Sequence, residues 1–190
     1  MLIGNLFSRM CNSNILQFLL LCGKLKRTVR TGWTRYNINA PESVSDHMYR
    51  MALMASVIPR KERENLNTDR LIKMAIVHDL AECIVGDITP YCGVSKGEKL
   101  SRETDAMKHL CSLISEENGT EILNLWKEYS EQKTPEAIIC KDFDKYVQFH
   151  KYYANKTVRI RTDLKCCYKP MNMKVRHVNQ ENWNHFLRIL

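Results

Sequence analysis

The chain has 190 residues, 44% of them hydrophobic and 26% charged, with eight cysteines and a formal net charge of +8. That is the length and composition of one globular domain, able to bury a proper core without metal or disulfide staples. The cysteines, at 11, 22, 83, 92, 111, 140, 166 and 167, form no Cys-x-x-Cys, which excludes a zinc ribbon and a thioredoxin motif. Scattered through apolar segments, they favour reduced, buried thiols in a cytoplasmic protein, with the nucleus as the alternative compartment.

The apolar spacing predicts a first helix over 14–27. Its run Ile15–Cys22 is too short to cross a bilayer, lacks a small-x-small cleavage site and is followed at once by Lys24, Lys26 and Arg27, so an amphipathic helix is read here and no membrane association is expected. A connector at 28–33 and a loop at 36–41 follow. Ser43 or Ser45 caps a second helix through Val57, with Val44, Met48, Met51, Ala52, Met54 and Ala55 on its apolar face; Pro59 stops it. Thr68, with Asp69, caps a third helix that carries His78, Asp79 and Glu82 near its end. Ser95-Lys-Gly-Glu98 reads as a capping box for a fourth, with Met107, Leu110, Cys111 and Ile114 inward. A short helix is expected over 121–130. Thr134-Pro135-Glu136 then opens a last helix with Ala137, Ile138, Ile139 and Phe143 on its apolar side and Asp144 riding on it. No convincing period-two run precedes residue 155, so the fold reads as an all-α helical bundle.

Beyond Asp144 the charge changes abruptly. Residues 1–144 hold 19 Lys or Arg against 19 Asp or Glu, whereas 145–190 hold 10 against 2. A basic tail is a candidate for contact with nucleic acid, because phosphate attraction is independent of sequence. This one carries no recognisable RNA-binding motif, and an ordinary solvated segment is the better reading.

The residues that carry chemistry are His78 and Asp79, inside the apolar run Met74-Ala-Ile-Val-His-Asp-Leu-Ala-Glu82, with His47 upstream and Asp144 downstream. Imidazole nitrogen and carboxylate oxygen together suit borderline and hard divalent ions, and charges set among apolar residues need a partner. The zinc-protease pattern His-Glu-x-x-His fails, since the fourth residue after His78 is Glu82. What remains is His-Asp-x-x-Glu, three side chains that one helix would put on one side of a turn. Ligands from separate helices are how a bundle builds a metal site in its core.

Three segments, Arg30-Thr-Gly-Trp33, Pro41-Glu-Ser-Val-Ser-Asp-His-Met-Tyr-Arg-Met-Ala52 and His78-Asp-Leu-Ala-Glu-Cys-Ile-Val-Gly-Asp-Ile-Thr-Pro90, resemble in order and spacing the HD-domain phosphohydrolases, and within them the eukaryotic 5'-deoxynucleotidases. The match runs from about Ile15 to Asp144. The resemblance implies an HD domain over 14–153 with a diverging basic segment at 154–190. It implies that His47, His78, Asp79 and Asp144 bind a catalytic manganese, cobalt or magnesium ion. Glu82 and Asp87 then lie at the phosphate side, as acid/base groups or, with the Ile88 carbonyl, as ligands of a second ion. The implied reaction is hydrolysis of deoxynucleoside 5'-monophosphates to deoxynucleoside and phosphate, and the implied assembly is a homodimer.

Trp33 matches a family tryptophan near the nucleotide pocket, though a core role fits it nearly as well. Bacterial relatives carry a phosphate-binding arginine directly before that tryptophan, where this chain has Gly32; Arg30 or Arg35 would have to supply the charge, against the commoner fate of a solvated surface arginine. Asp87 has a plain alternative too, as a loop carboxylate capping a backbone turn. A phosphodiesterase or nucleotide triphosphohydrolase on the same fold, and a non-catalytic HD-domain regulatory protein, are the competing functions.

Overall fold

The computed structural model describes residues 13–35 and 40–155, apart from the side chains of Trp33, Arg35, Glu62 and residues 148–155. The expected loop at 36–41 therefore lies largely outside the described residues, and the basic segment 154–190 almost wholly so. Eight α-helices follow in order among the described residues: α1 Ser13–Cys22, α2 Thr31–Arg35, α3 Val44–Ser56, α4 Thr68–Val77, α5 Glu82–Val85, α6 Lys96–Ser112, α7 Glu116–Glu131 and α8 Pro135–Asn155. Helix α1 runs into a 3-10 turn, Gly23–Lys26, so the predicted first helix is divided there. The one described bridge between extended segments is the antiparallel contact of Val29 with Ser43. The fold is all-α.

Local chemistry explains most helix starts. Ser43, rather than Ser45, caps α3: its Oγ accepts from the Asp46 N–H at 3.1 Å while the Asp46 carboxylate accepts from the Ser43 N–H at 3.2 Å, closing a reciprocal box. For α4 the cap is Asn67, one residue before the predicted Thr68; its Oδ1 accepts from the Arg70 N–H at 3.0 Å. Ser95 accepts from the Glu98 N–H at 3.1 Å, but Glu98 itself pairs with Arg102, so only half of the predicted box forms. Thr134 Oγ1 accepts from the Ala137 N–H at 3.2 Å and starts α8.

Helix α7 begins at Glu116, five residues before the predicted start, because Ser115 caps it. The poor helix formers Asn118, Gly119 and Thr120 hide that first turn. Gly119 is needed for packing: a Cβ there would lie 2.7 Å from the Cys111 carbonyl oxygen of α6. Gly119→Ala is therefore expected to destabilise the fold by about 1–3 kcal/mol through overpacking, read as a lowered melting temperature in a thermal unfolding scan, despite alanine's better helix propensity.

Helix α3 packs on α4, α4 on α7, α6 on α7, and the short α5 on α6. The core inside them includes Val44, Met48, Leu80, Ala81, Cys83, Met107, Leu110 and Trp126. Of the residues predicted inward on α8, Ala137 and Phe143 are buried and Ile138 and Ile139 are partly so. The five described cysteines, Cys22, Cys83, Cys92, Cys111 and Cys140, are free thiols. No described helix is long and apolar enough to cross a membrane.

The largest departure from expectation falls at the chemical centre of the chain. The third helix does not continue through Glu82; it stops at Val77, and His78 is its C-terminal cap. Beyond it the N–H groups of Leu80, Glu82, Cys83 and Ile84 each bond to the carbonyl three residues back. This tight turn buries Leu80, Ala81 and Cys83 in the core. At roughly three residues per turn, side chains three apart eclipse, so Asp79 and Glu82 share a face. After α5, Gly86 turns the chain at φ +74°, a conformation glycine adopts without strain, and so delivers Asp87.

Candidate metal centre

Three donors from three parts of the fold converge, with Asp79 beside them. His47 comes from α3, one turn past its capping Ser43; His78 and Asp79 come from the turn after α4; Asp144 comes from α8. The ligand atoms of His47, His78 and Asp144 all lie within 4.8 Å of one another. Asp79 Oδ2 stands 3.1 Å from His78 Nε2 and 3.9 Å from His47 Nε2, and Asp144 Oδ1 stands 3.1 Å from His47 Nε2. Both imidazole side chains are fully buried.

The hydrogen-bond pattern shows what these residues fit. His78 Nδ1 lies 2.9 Å from the Ala75 carbonyl oxygen. A carbonyl only accepts, so Nδ1 carries the hydrogen and neutral His78 presents a bare Nε2 lone pair. That lone pair faces the Asp79 carboxylate, acceptor against acceptor, and Nε2 has no hydrogen-bond partner; neither do the two ring nitrogens of His47. Buried polar atoms left this way are costly, and a cation among them satisfies both histidines and both carboxylates together. Tying the second ring nitrogen to a carbonyl is also how metal-bound histidines are commonly oriented. The donor set fits a divalent ion.

Titration tendencies divide: burial acts against the His78 charge, but the Asp79 carboxylate overcomes it and raises that imidazole above its ordinary value, whereas His47 and both carboxylates tend toward the forms that hold a cation. Burial pushes the His47 imidazole down and Arg30 adds to this, with Asp144 opposing, which favours the neutral ligand form. Burial acts against the Asp79 charge, but His78 and Arg30 overcome it and hold that carboxyl well below the usual range. Asp144 is likewise held down: burial opposes its charge, while His47, Lys141, His78 and Arg30 favour it.

Arg30 is no surface arginine. Its N–H bonds to the Glu42 carbonyl at 3.1 Å, and the Val44 N–H bonds to the Thr28 carbonyl at 2.9 Å, which pins the connector against the start of α3. Its guanidinium, 7% exposed, then spans the two ligand carboxylates: Nη1 donates to Asp79 Oδ2 at 3.0 Å and Nη2 to Asp144 Oδ1 at 3.4 Å.

Glu82 is buried and its Oε2 has no hydrogen-bond partner. Burial, with the charges of Asp79 and Asp87, pushes this carboxyl well above its ordinary value, so it holds a proton more readily than any ordinary glutamate. Asp87 Oδ2 accepts from the Thr31 N–H at 2.7 Å and its carbonyl accepts from the Thr31 hydroxyl at 2.8 Å, joining the loop after α5 to the start of α2. The Ile88 carbonyl accepts from Lys99 Nζ at 2.7 Å. Trp33 and Arg35 fall within α2, and their side chains lie outside the described set.

Sequence reasoning missed three residues beside the site. Tyr129 and Lys141 both donate to Asp144 Oδ2, at 3.0 and 2.8 Å. Lys99 adds positive charge near Glu82. Lys141 was findable, since it precedes Asp144 by three residues on one helix. Tyr129 reaches the site only through tertiary packing.

A helical bundle that gathers two histidines and an aspartate around one buried point, with Asp79 against both imidazoles, belongs structurally with proteins that hold a metal in the bundle core. The HD domain family model matches residues 22–183, and the chain belongs to that family. It is 52% identical over 142 residues to a Danio rerio protein named 5'-deoxynucleotidase HDDC2, across 73% of this chain and 70% of the relative. It is 51% identical over 131 residues to the Homo sapiens protein of the same name, across 69% of this chain and 63% of the relative. The chain thus spans about two thirds of the length of these relatives. Among solved structures, the HD domain-containing protein YGK1 superposes with a TM-score of 0.61 at 27% identity, covering 93% of this chain and 84% of that one. A conserved hypothetical protein from Pyrococcus furiosus gives 0.63 at 28% identity, covering 79% and 87%.

Proposed function

We propose that the chain is a metal-dependent phosphomonoesterase that hydrolyses deoxynucleoside 5'-monophosphates to deoxynucleoside and phosphate. The observation that carries this reading is the convergence of His47, His78 and Asp144 on one buried point, with Asp79 beside both histidines and the His78 lone pair aimed at its carboxylate. Relatives at about half identity that are named 5'-deoxynucleotidase supply the reaction. Those four residues would hold a manganese, cobalt or magnesium ion; Glu82 and Asp87 would serve as acid/base groups or, in the alternative arrangement, would hold a second ion with the Ile88 carbonyl. A bound ion supplies a water of lowered pKa and positive charge for the phosphoryl oxygens.

The remaining work belongs to the protein. Phosphoryl transfer asks for in-line positioning and charge stabilisation. Arg30 is fixed by the two carboxylates, and its guanidinium has five N–H donors, so it can turn others toward the phosphoryl oxygens. As the water oxygen bonds to phosphorus and the bond from phosphorus to the 5' oxygen breaks, that oxygen needs a proton. Glu82, held protonated by its buried setting, donates it and is recharged by the proton that the attacking water gives up, while Asp87 orients that water. Trp33, by its match to the family tryptophan, is the candidate for the sugar, and Arg35 a second candidate for phosphate contact. We place the catalytic domain at 14–153, with the basic segment 154–190 outside it, in a cytoplasmic or nuclear homodimer.

The test is phosphate release from dAMP, dCMP, dGMP and dTMP, and from the matching ribonucleotides, by metal-stripped protein resupplied with manganese, cobalt or magnesium. Release from the deoxy set, absent without metal, is the expected result. Cleavage of phosphodiesters or triphosphates with monophosphates untouched would replace this reading with another hydrolase of the same fold.

A further inference from the structure

We infer that Tyr129 and Lys141 are positioning residues that present Asp144 to the metal through a single oxygen; the inference rests on the metal reading above. Asp144 Oδ2 accepts from the Tyr129 hydroxyl at 3.0 Å and from Lys141 Nζ at 2.8 Å, and Lys141 Nζ also donates to the Tyr129 oxygen at 2.9 Å. The direction of each bond is forced. An ammonium only donates, so the tyrosine oxygen accepts from lysine and its one hydrogen goes to the carboxylate. With Oδ2 held by two donors, Oδ1 is the oxygen turned to the histidines' side, 3.1 Å from His47 Nε2 and 3.4 Å from the Arg30 Nη2 that donates to it.

The same tyrosine touches a second ligand: its ring centroid lies 4.9 Å from that of His78, and Lys141 Nζ lies 5.1 Å from the tyrosine centroid. Tyr129 is thus fixed from below by lysine while it orients one ligand through its hydroxyl and supports another through its ring. A carboxylate held in this way cannot close both oxygens on an ion. A coordination position stays open for water or substrate, as a catalytic site requires.

The test is a calorimetric manganese titration of the metal-stripped full chain, comparing wild type with Tyr129→Phe, Lys141→Met, the double variant and Lys141→Arg, each melted by circular dichroism. Tyr129→Phe keeps the ring against His78 and removes only the hydroxyl. Each single variant is expected to weaken manganese binding by about tenfold or more, the usual cost of losing an outer partner of a ligand. The double variant should lose less than the product of the single losses, because both groups act on one oxygen, and Lys141→Arg should recover part of the affinity. Wild-type affinity in both folded single variants would overturn the inference, as would losses that multiply independently. A wild-type chain that binds no manganese would instead overturn the metal reading itself, and the inference with it.

Discussion

Asp79→Ala protein is expected to fold and to lose metal-dependent phosphate release by about three orders of magnitude or more, equivalent to roughly 4 kcal/mol of transition-state stabilisation. The Asp79 carboxylate lies 3.1 Å from His78 Nε2 and 3.9 Å from His47 Nε2 and also receives Arg30. Without it, on the proposed ligand set, an ion bound there would lose a ligand and the charge that compensates its own. Arg30 loses one of its two anchors and with it the orientation that aims it at substrate. The fold should persist, because Asp79 sits in a turn outside the apolar cluster built by Leu80, Ala81 and Cys83. The measurement is initial-rate phosphate release with saturating manganese, alongside a thermal melt. Undiminished turnover would remove Asp79 from the site.

Glu82→Gln is expected to lower kcat by about 10²- to 10⁴-fold, the usual contribution of a positioned proton donor, while manganese still binds through His47, His78, Asp79 and Asp144. Glutamine has the shape of glutamate and cannot deliver a proton on demand. The buried position already disfavours the charged form, so replacing a protonated carboxyl by an amide should disturb the packing little. This separates the two variants: Asp79→Ala loses metal and rate together, whereas Glu82→Gln keeps metal at the four-residue set and loses rate. Unchanged kcat in Glu82→Gln would transfer the proton-donating role to another group, Asp87 first.

The parts of the fold written in local chemistry were legible in the sequence. Ser43, Ser95 and Thr134 announce helix starts because their hydroxyls accept from N–H groups three residues ahead, an arrangement that needs no tertiary context. His47, His78 and Asp144 stood out because charge-bearing or ligand side chains interrupt apolar helical faces, where burial without a partner is costly.

Four features were not legible, each for a physical reason. The break after Val77 depends on how Leu80, Ala81 and Cys83 pack, and the helical period continues through it undisturbed, so His78 to Glu82 reads as one helix. The early start of α7 was hidden by Gly119, whose poor helix propensity matters less than the room it leaves for the Cys111 carbonyl. Arg30 reads as a surface cation until the Val29–Ser43 bridge draws its backbone inward. Tyr129 belongs with Arg30: only the packing of α7 against the rest of the bundle puts a phenol beside Asp144.

The central claim is that one buried set of four residues holds the ion on which hydrolysis depends. The most direct test is to titrate manganese into metal-stripped wild-type and Asp79→Ala protein and follow heat of binding and phosphate release from a deoxynucleoside 5'-monophosphate in parallel. The account predicts that in wild type the rate rises as binding saturates, and that both signals collapse in Asp79→Ala. Phosphate released at the wild-type rate by the chelated protein, or by Asp79→Ala, would contradict it.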